Sequence, residues 1–266
     1  MSIQIIGDRG DWKKIDSSLV ERLNREAEAE PRNPTANQKT TDTEPEQGKQ
    51  DTFNVQDLNG YIYVPSIKLY VAKNRDLNGL KWNQAVDEIY KKGITVEGKR
   101  AEMPTPFEFM SYVKYLLSGK VNGLAESERK NILDDILKLG NYRGNWLNAK
   151  FVKNSKGFNG LGMEIAIFNS AGKADTKIEP LEQCLWQDCW ADINSGNNQG
   201  LLTKQYGSSY KQGKNVYFWY PRETAVAGFD ADSGRADLAC DRDAGDSYPS
   251  LGVRFVVRAK NLGGVK

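Results

Sequence analysis

The 266 residues include 37 basic and 35 acidic side chains, a net charge of +2, which gives no electrostatic reason to expect nucleic acid or an anionic membrane as the main partner. Histidine is absent, which excludes Ser-His-Asp and Cys-His nucleophile systems, histidine proton shuttles and imidazole metal ligands. Hydrophobic residues make up 39% of the chain, with six Trp and twelve Tyr, enough for one substantial core with an appended segment.

Residues 1–52 differ in character from the rest. The first residues contain no apolar signal core and no stretch approaches bilayer-spanning length, so the chain is expected to be soluble and not inserted in a membrane. Its location stays open, a virion and the cytoplasm both being compatible. Ser18 and Glu21 form a capping box opening a short amphipathic helix through Ala27, with Leu19, Val20 and Leu23 as its apolar face. Residues 31–51 are rich in Thr, Asn, Gln, Glu and Pro and have almost nothing to bury, as expected of a polar arm or linker.

The folded domain is expected to span 53–266. Residues 61–71 are β-prone, with Pro65 marking a break or an edge. Helical spacing of Trp82, Ala85, Val86 and Ile89 predicts a helix over 81–92, stopped by Gly93. The next helix, over 106–118, has the clearest start in the chain. Thr105 is its N-cap, Pro106 its first residue and Glu108 the return partner of the box, while Phe109, Tyr112, Val113, Leu116 and Leu117 form its apolar face. A third helix, over 126–139, carries Ile132, Leu133, Ile136 and Leu137.

Beyond Gly140 the pattern changes to short strands and long loops, with strands predicted at 150–152, 162–168, 182–190 and 214–220. Residues 194–213 form a loop too long to be a simple connection, and such loops are usually functional or mobile. Helices first and strands afterwards indicate an α+β fold, with helices packed on a small antiparallel sheet.

The region from about 217 to 254 carries most of the functional information. Phe229, Ala231 and Ser233, then Ala236, Leu238 and Cys240, alternate toward a core. Asp230, Asp232, Asp237, Ala239, Asp241, Asp243, Asp246 and Tyr248 are then expected to point to solvent, joined by Arg235, Arg242 and Gly245. Packing specifies only the inner face of such strands, so the outer face is free to hold almost any residue. Tyr217, Trp219 and Tyr220 are candidates for the rim of this surface, with core packing as the competing role.

Three cysteines, Cys184, Cys189 and Cys240, argue against a disulfide scaffold and, without histidine, cannot complete a common four-ligand zinc site. The run Asp230-Ala231-Asp232-Ser233-Gly234 opens like a calcium loop, but Arg235 stands where that loop needs glycine and Asp241 where it ends in glutamate.

Three segments together point to a family. Trp82 and Ala85, followed by Glu102-Met103-Pro104-Thr105-Pro106-Phe107-Glu108-Phe109, resemble the helix pair of formylglycine-generating-enzyme-like domains. The run Leu251-Gly252-Val253-Arg254-Phe255-Val256-Val257-Arg258 is similar to the strand that ends those domains. Residues 217–258 resemble the variable segment of target proteins of diversity-generating retroelements, particularly those of archaea and their viruses. The resemblance covers about residue 61 onward and implies a C-type-lectin fold of the formylglycine-generating-enzyme type. It further implies a ligand-binding display protein whose C-terminal surface accepts massive sequence variation, directed at a protein or cell-surface ligand. A structural or virion module of the same fold, and an oxidase of the same fold, are the alternatives. Formylglycine-generating enzymes depend on a cysteine pair that binds copper. Cys240 falls near the second of these, but Arg235 stands five residues earlier where the first would be. No catalytic residue, metal or other cofactor is therefore expected. The abundance of aspartate on the outer face leads us to expect a ligand that is cationic or polar, or no ligand for this copy.

Overall fold

The structure is a computed structural model and describes residues 58–258. The helix and polar arm expected before residue 52 lie outside the described residues. Among the described residues the fold is α+β, with two main sheets, a small hairpin and three helices.

The chain enters through an antiparallel pair, β1 (Tyr61–Val64) and β2 (Leu69–Ala72), with Pro65 in the turn between them. Helix α1 (Trp82–Val86) runs directly into a π-helical turn, Asp87–Lys91. Regular spacing alone would bring Ile89 inward. The wider turn also buries Tyr90, whose hydroxyl accepts from the Asn148 side chain (2.9 Å) and from the Met103 backbone N–H (3.2 Å). The hairpin β3 (Thr95–Val96) and β4 (Lys99–Arg100) follows.

Helix α2 (Pro106–Leu117) begins as its sequence dictates. Thr105 Oγ1 accepts from the Glu108 N–H (3.3 Å), and a Glu108 carboxylate oxygen accepts from the Thr105 N–H (2.8 Å). Helix α3 (Glu126–Leu137) ends two residues before the predicted stop.

The large sheet has the order β7-β6-β5-β10-β11-β9-β8, formed by β5 (Arg143–Lys153), β6 (Leu161–Phe168), β7 (Ala174–Pro180), β8 (Cys189–Asp192), β9 (Asn215–Trp219), β10 (Val226–Ala231) and β11 (Ala236–Arg242). Its inner face carries Leu147, Phe151, Phe218, Phe229, Leu238 and Cys240, packed with the apolar faces of α2 and α3 and with Ile62 and Val64 of the small sheet. The Phe109 and Phe229 rings lie 5.1 Å apart at this junction. Part of the outer face is covered as well. There Trp146 and Val226 pack with Trp82, Ala85 and Ile89 of α1 and with Leu251, Val253 and Phe255.

The structure departs from the sequence expectations. The helices were expected on a small antiparallel sheet, but the large sheet has eight strands and β9 pairs with β11 in parallel. The closing segment is split. β12 (Leu251–Gly252) pairs parallel to β5, whereas β13 (Val256–Arg258) extends the small sheet beside β2. The buried Arg254 bridges the break by donating to the Ala72 and Lys73 carbonyls and to Asp135. Residues 182–188 form no strand, because their polar backbone is tied to the neighbouring loop, with the Leu185 N–H on the Leu202 carbonyl at 2.8 Å. That loop, 194–213, is pinned by fully buried Leu201 and Leu202 and by Asn197, whose side-chain oxygen accepts two backbone N–H groups. β7 escapes the pattern because it is an exposed edge strand with no alternation to read.

Replacing Thr105 by Ala is expected to cost about 1 kcal/mol, by removing an N-cap. Equilibrium urea unfolding checks this, and an unchanged midpoint would show that α2 does not depend on its cap.

Candidate functional site

β10 and β11 form a hairpin at the centre of the large sheet, and its register decides what each face holds. Phe229 pairs with Leu238, and the adjacent pair is Asp230 with Asp237. Phe229 and Leu238 both enter the inner core, so the two aspartates share the outer face. Like charges directly opposite one another are unfavourable in a sheet, and the surrounding residues are arranged around this pair.

Arg242 neutralises Asp230. One guanidinium nitrogen donates to Asp230 and the other to Asp246 Oδ2 at 3.1 Å. The guanidinium lies over the rings of Trp146 (5.5 Å) and Tyr142 (5.8 Å). Strict alternation from Asp237 through Ala239 and Asp241 would turn Arg242 inward. The register of β10 shifts between Val226 and Gly228, and this bulge brings Arg242 to the outer face beside Asp241.

Two glycines make the approach possible. A Cβ on Gly228 would lie 3.1 Å from Arg242 Nε, and one on Gly144 would lie 2.4 Å from Asp230 Oδ1 and 2.7 Å from the Tyr142 hydroxyl. That hydroxyl donates to Asp230 Oδ1 at 3.1 Å.

Asp237 is held differently. Its Oδ2 accepts from Arg235 Nε at 3.2 Å and from the Trp219 indole at 3.4 Å, while its Oδ1 is buried with no hydrogen-bond partner. Burial, followed by the facing Asp230, pushes its carboxyl up to about 7, against the opposing pull of Trp219, Arg235 and Arg242. Burial also raises Asp230, although Arg242 and Tyr142 act in the other direction.

These side chains form one wall of a concavity of about 560 Å³ on the uncovered part of the outer face. It is lined by Asp230, Asp232, Arg235, Asp237, Ala239, Asp241, Arg242, Asp243, Asp246 and Tyr248, with Trp219 and Tyr142 completing it. Of the outward residues anticipated from the sequence, only Gly245 is not among the lining residues. Tyr142 was not anticipated, since it lies far away in sequence and ahead of an eleven-residue strand of which only three residues were predicted.

The expectation that all these side chains point to solvent is corrected. Asp230 and Asp237 are only 5% and 6% exposed and Ala239 is buried, because neighbouring strands and Arg242 close over them. Asp232, Arg235, Asp241, Arg242 and Asp246 are half-buried, and Asp243, Gly245 and Tyr248 are exposed. Asp232 also closes the hairpin turn, its carboxylate accepting from the Gly234 and Arg235 N–H groups at 2.7 and 2.9 Å. Asp241 faces Arg222 at 3.6 Å.

The three candidate rim aromatics divide. Trp219 lines the concavity, Tyr217 stacks against it from the side, and Tyr220 packs at the edge of the inner core, 5.0 Å from Trp186. Cys240 is fully buried on the inner face, where burial holds its thiol well above the ordinary range. Cys184 is also buried, and Cys189 is half-buried.

Among the described residues no three acidic or cysteine side chains converge as a metal-ligand set, and no helix is long and apolar enough to cross a membrane. Comparison with protein-family models, curated proteins and solved structures finds no match for this chain.

Two outcomes follow from this geometry. Asp230→Ala leaves the Arg242 guanidinium without its buried partner and is expected to cost about 3–5 kcal/mol, measured by denaturant unfolding. A loss below about 1 kcal/mol would show that Asp246 and the aromatic rings suffice. For Asp237 the folded-state pKa is raised, so its contribution is fully present below the unfolded value of 3.8 and is lost as pH rises through about 7. The stability of Asp237→Asn relative to the unaltered protein should therefore increase between pH 4 and pH 7.5. A flat difference in melting temperature would contradict the assignment.

Proposed function

We propose that the protein is a ligand-binding display protein whose C-terminal surface accepts extensive sequence change. In this reading it is a target of a diversity-generating retroelement, built on a C-type-lectin fold of the formylglycine-generating-enzyme type. The observation that carries the proposal is the convergence on one concavity of Asp230, Asp237, Ala239 and Asp241, selected by strand alternation, with Arg235, Arg242 and residues of the 243–248 loop. The framework side chains Phe229, Leu238 and Cys240 pack on the opposite face.

The two faces have different tolerances. A substitution at an exposed or half-exposed wall position changes the ligand surface and costs within about half a kcal/mol. A truncation at a framework position leaves a cavity and costs several kcal/mol, about 3–5 for Phe to Ala. Asp230 and Arg242 belong to the wall by position and to the framework by energy, so a change at one requires a compensating change at the other.

The proposed role is binding without catalysis. Cys240, the residue nearest the oxidase pattern, lies on the face away from the concavity, and Arg235 holds the position of its missing partner. The ligand is a protein or cell-surface group, recognised by a rigid patch in which a few aromatic or arginine anchors supply most of the affinity.

The test combines genetics with stability. The DNA beside the gene should encode a reverse transcriptase and carry an imperfect repeat of the 3′ coding end. Natural copies should differ at the codons for Ala239, Asp241, Asp243, Asp246 and Tyr248 and agree at those for Phe229, Leu238 and Leu251. A protein carrying Asp241→Asn, Asp243→Ser and Tyr248→Ser together should unfold within about 1.5 kcal/mol of the unaltered protein. Equal variation at Phe229 and Leu238, or collapse of the triple variant, would overturn the proposal.

A further inference from the structure

The concavity contains a side chain that resembles a bound ligand. Arg235 lies with its guanidinium carbon 4.8 Å from the centroid of the Trp219 ring and 5.0 Å from that of Tyr217. The two rings meet edge to face at 5.0 Å and 63°, forming two walls of a half-cage. A cation within about 6 Å of an aromatic face is attracted by the ring quadrupole. The third wall is Asp237, whose Oδ2 accepts from Arg235 Nε at 3.2 Å.

Arg235 fills this half-cage incompletely. Guanidinium and carboxylate pair best through two parallel hydrogen bonds, but Arg235 reaches one oxygen only. Asp237 Oδ1 is buried and has no hydrogen-bond partner, although its residue lines the concavity and is only 6% exposed. An unpartnered buried carboxylate oxygen is costly and is ordinarily satisfied by a donor. The side chain of Arg235 is itself 37% exposed and follows directly on the hairpin turn, so it can swing into solvent without disturbing the sheet.

The remaining charges favour a cation over an anion. Asp230, Asp232, Asp237, Asp241, Asp243 and Asp246 line the same concavity against two guanidiniums, and Arg242 is already committed to Asp230 and Asp246.

We infer that Tyr217, Trp219 and Asp237 form a cation-binding subsite, that Arg235 is its built-in occupant, and that the ligand presents a guanidinium or ammonium group that displaces Arg235. This rests on reading the concavity as a binding surface, and it names the chemistry of what is bound there. The incoming cation takes the aromatic faces from Arg235 and donates to Asp237 Oδ1 as well as Oδ2. Arg235 therefore acts as a plug that sets a threshold for binding.

The test uses the full chain and two probes, N-acetyl-arginine amide and its uncharged isostere N-acetyl-citrulline amide, titrated at about pH 8, where Asp237 is ionised, while the Trp219 indole N–H resonance is followed. Arg235→Ala should bind the arginine probe about tenfold more tightly than the citrulline probe, and about fivefold more tightly than the unaltered protein does. Arg235→Lys keeps a cation in the half-cage and should bind as weakly as the unaltered protein. Adding Asp237→Asn to Arg235→Ala should abolish the preference for the charged probe. If that double variant does not fold, Trp219→Leu in the Arg235→Ala background tests the aromatic wall instead and should lower affinity for the charged probe alone.

Equal binding of the two probes by Arg235→Ala, or equal affinity of Arg235→Ala and Arg235→Lys for the arginine probe, would overturn the inference. Either result would leave the display proposal standing if the triple wall variant folds and natural copies vary at the wall. Collapse of that variant would remove the display reading, whatever the probes do.

Discussion

The register of β10 against β11 places Phe229 opposite Leu238 on one face and Asp230 opposite Asp237 on the other. A slip of one residue would bury the carboxylates in the main core and expose the aromatic ring, so the hydrophobic pair specifies the register strongly. The cost falls on the outer face, where two carboxylates are held opposite one another and mostly shielded from water. Arg242 offsets this for Asp230, in the room left by the glycines at 144 and 228, and Arg235 does so in part for Asp237. The concavity therefore follows from a core constraint: the packing that fixes the inner face also decides which residues form the wall.

That origin explains why much of the site was legible in the sequence. Alternation needs no long-range information, and the runs Phe229–Ala231 and Ala236–Cys240 state it directly, although Ser233, expected inward, lies exposed in the turn between the two strands. The start of α2 was equally readable, since Thr105, Pro106 and Glu108 determine a helix terminus through contacts within four residues. The less legible features depend on parts of the chain distant in sequence or on departures from regular geometry. Tyr142 reaches Asp230 only because β5 pairs with β10, and most of β5 lacks a simple apolar pattern because it is covered on both faces. The bulge that turns Arg242 outward leaves no local mark. Nor does the π-helical turn after α1, which is set by burial of Tyr90. Exposure was misjudged at Asp230 and Asp237 for a related reason. Alternation tells which face a side chain takes but does not tell what covers that face.

The wall has graded freedom. Asp243 and Tyr248 sit at its open edge, where Asp243 accepts from the Gly245 N–H of its own loop and Tyr248 meets the Tyr142 ring edge to face at 5.3 Å, whereas Asp232 closes the hairpin turn and Asp230 balances a buried arginine. A surface intended for variation need not be uniformly permissive. It needs positions whose loss the sheet does not register, beside a small number that hold the sheet's polar face together. The platform beneath has a continuous inner core running from α2 and α3 through the large sheet to β1, β2 and β13, and a second cluster on the covered part of its outer face. Such support allows the wall to change composition without changing shape.

The most direct test of this division between frame and wall is saturation substitution of residues 217–254, with survival of limited proteolysis as the measure of folding. The account predicts a two-residue alternation in tolerance along β10 and β11, intolerant at Phe229, Ala231, Ala236, Leu238 and Cys240. Tolerance should be broad at Asp241, Asp243 and Tyr248, and Asp230 and Arg242 should be replaceable only together. Tolerance that follows exposure smoothly with no alternation, or free replacement of Asp230 alone, would contradict it.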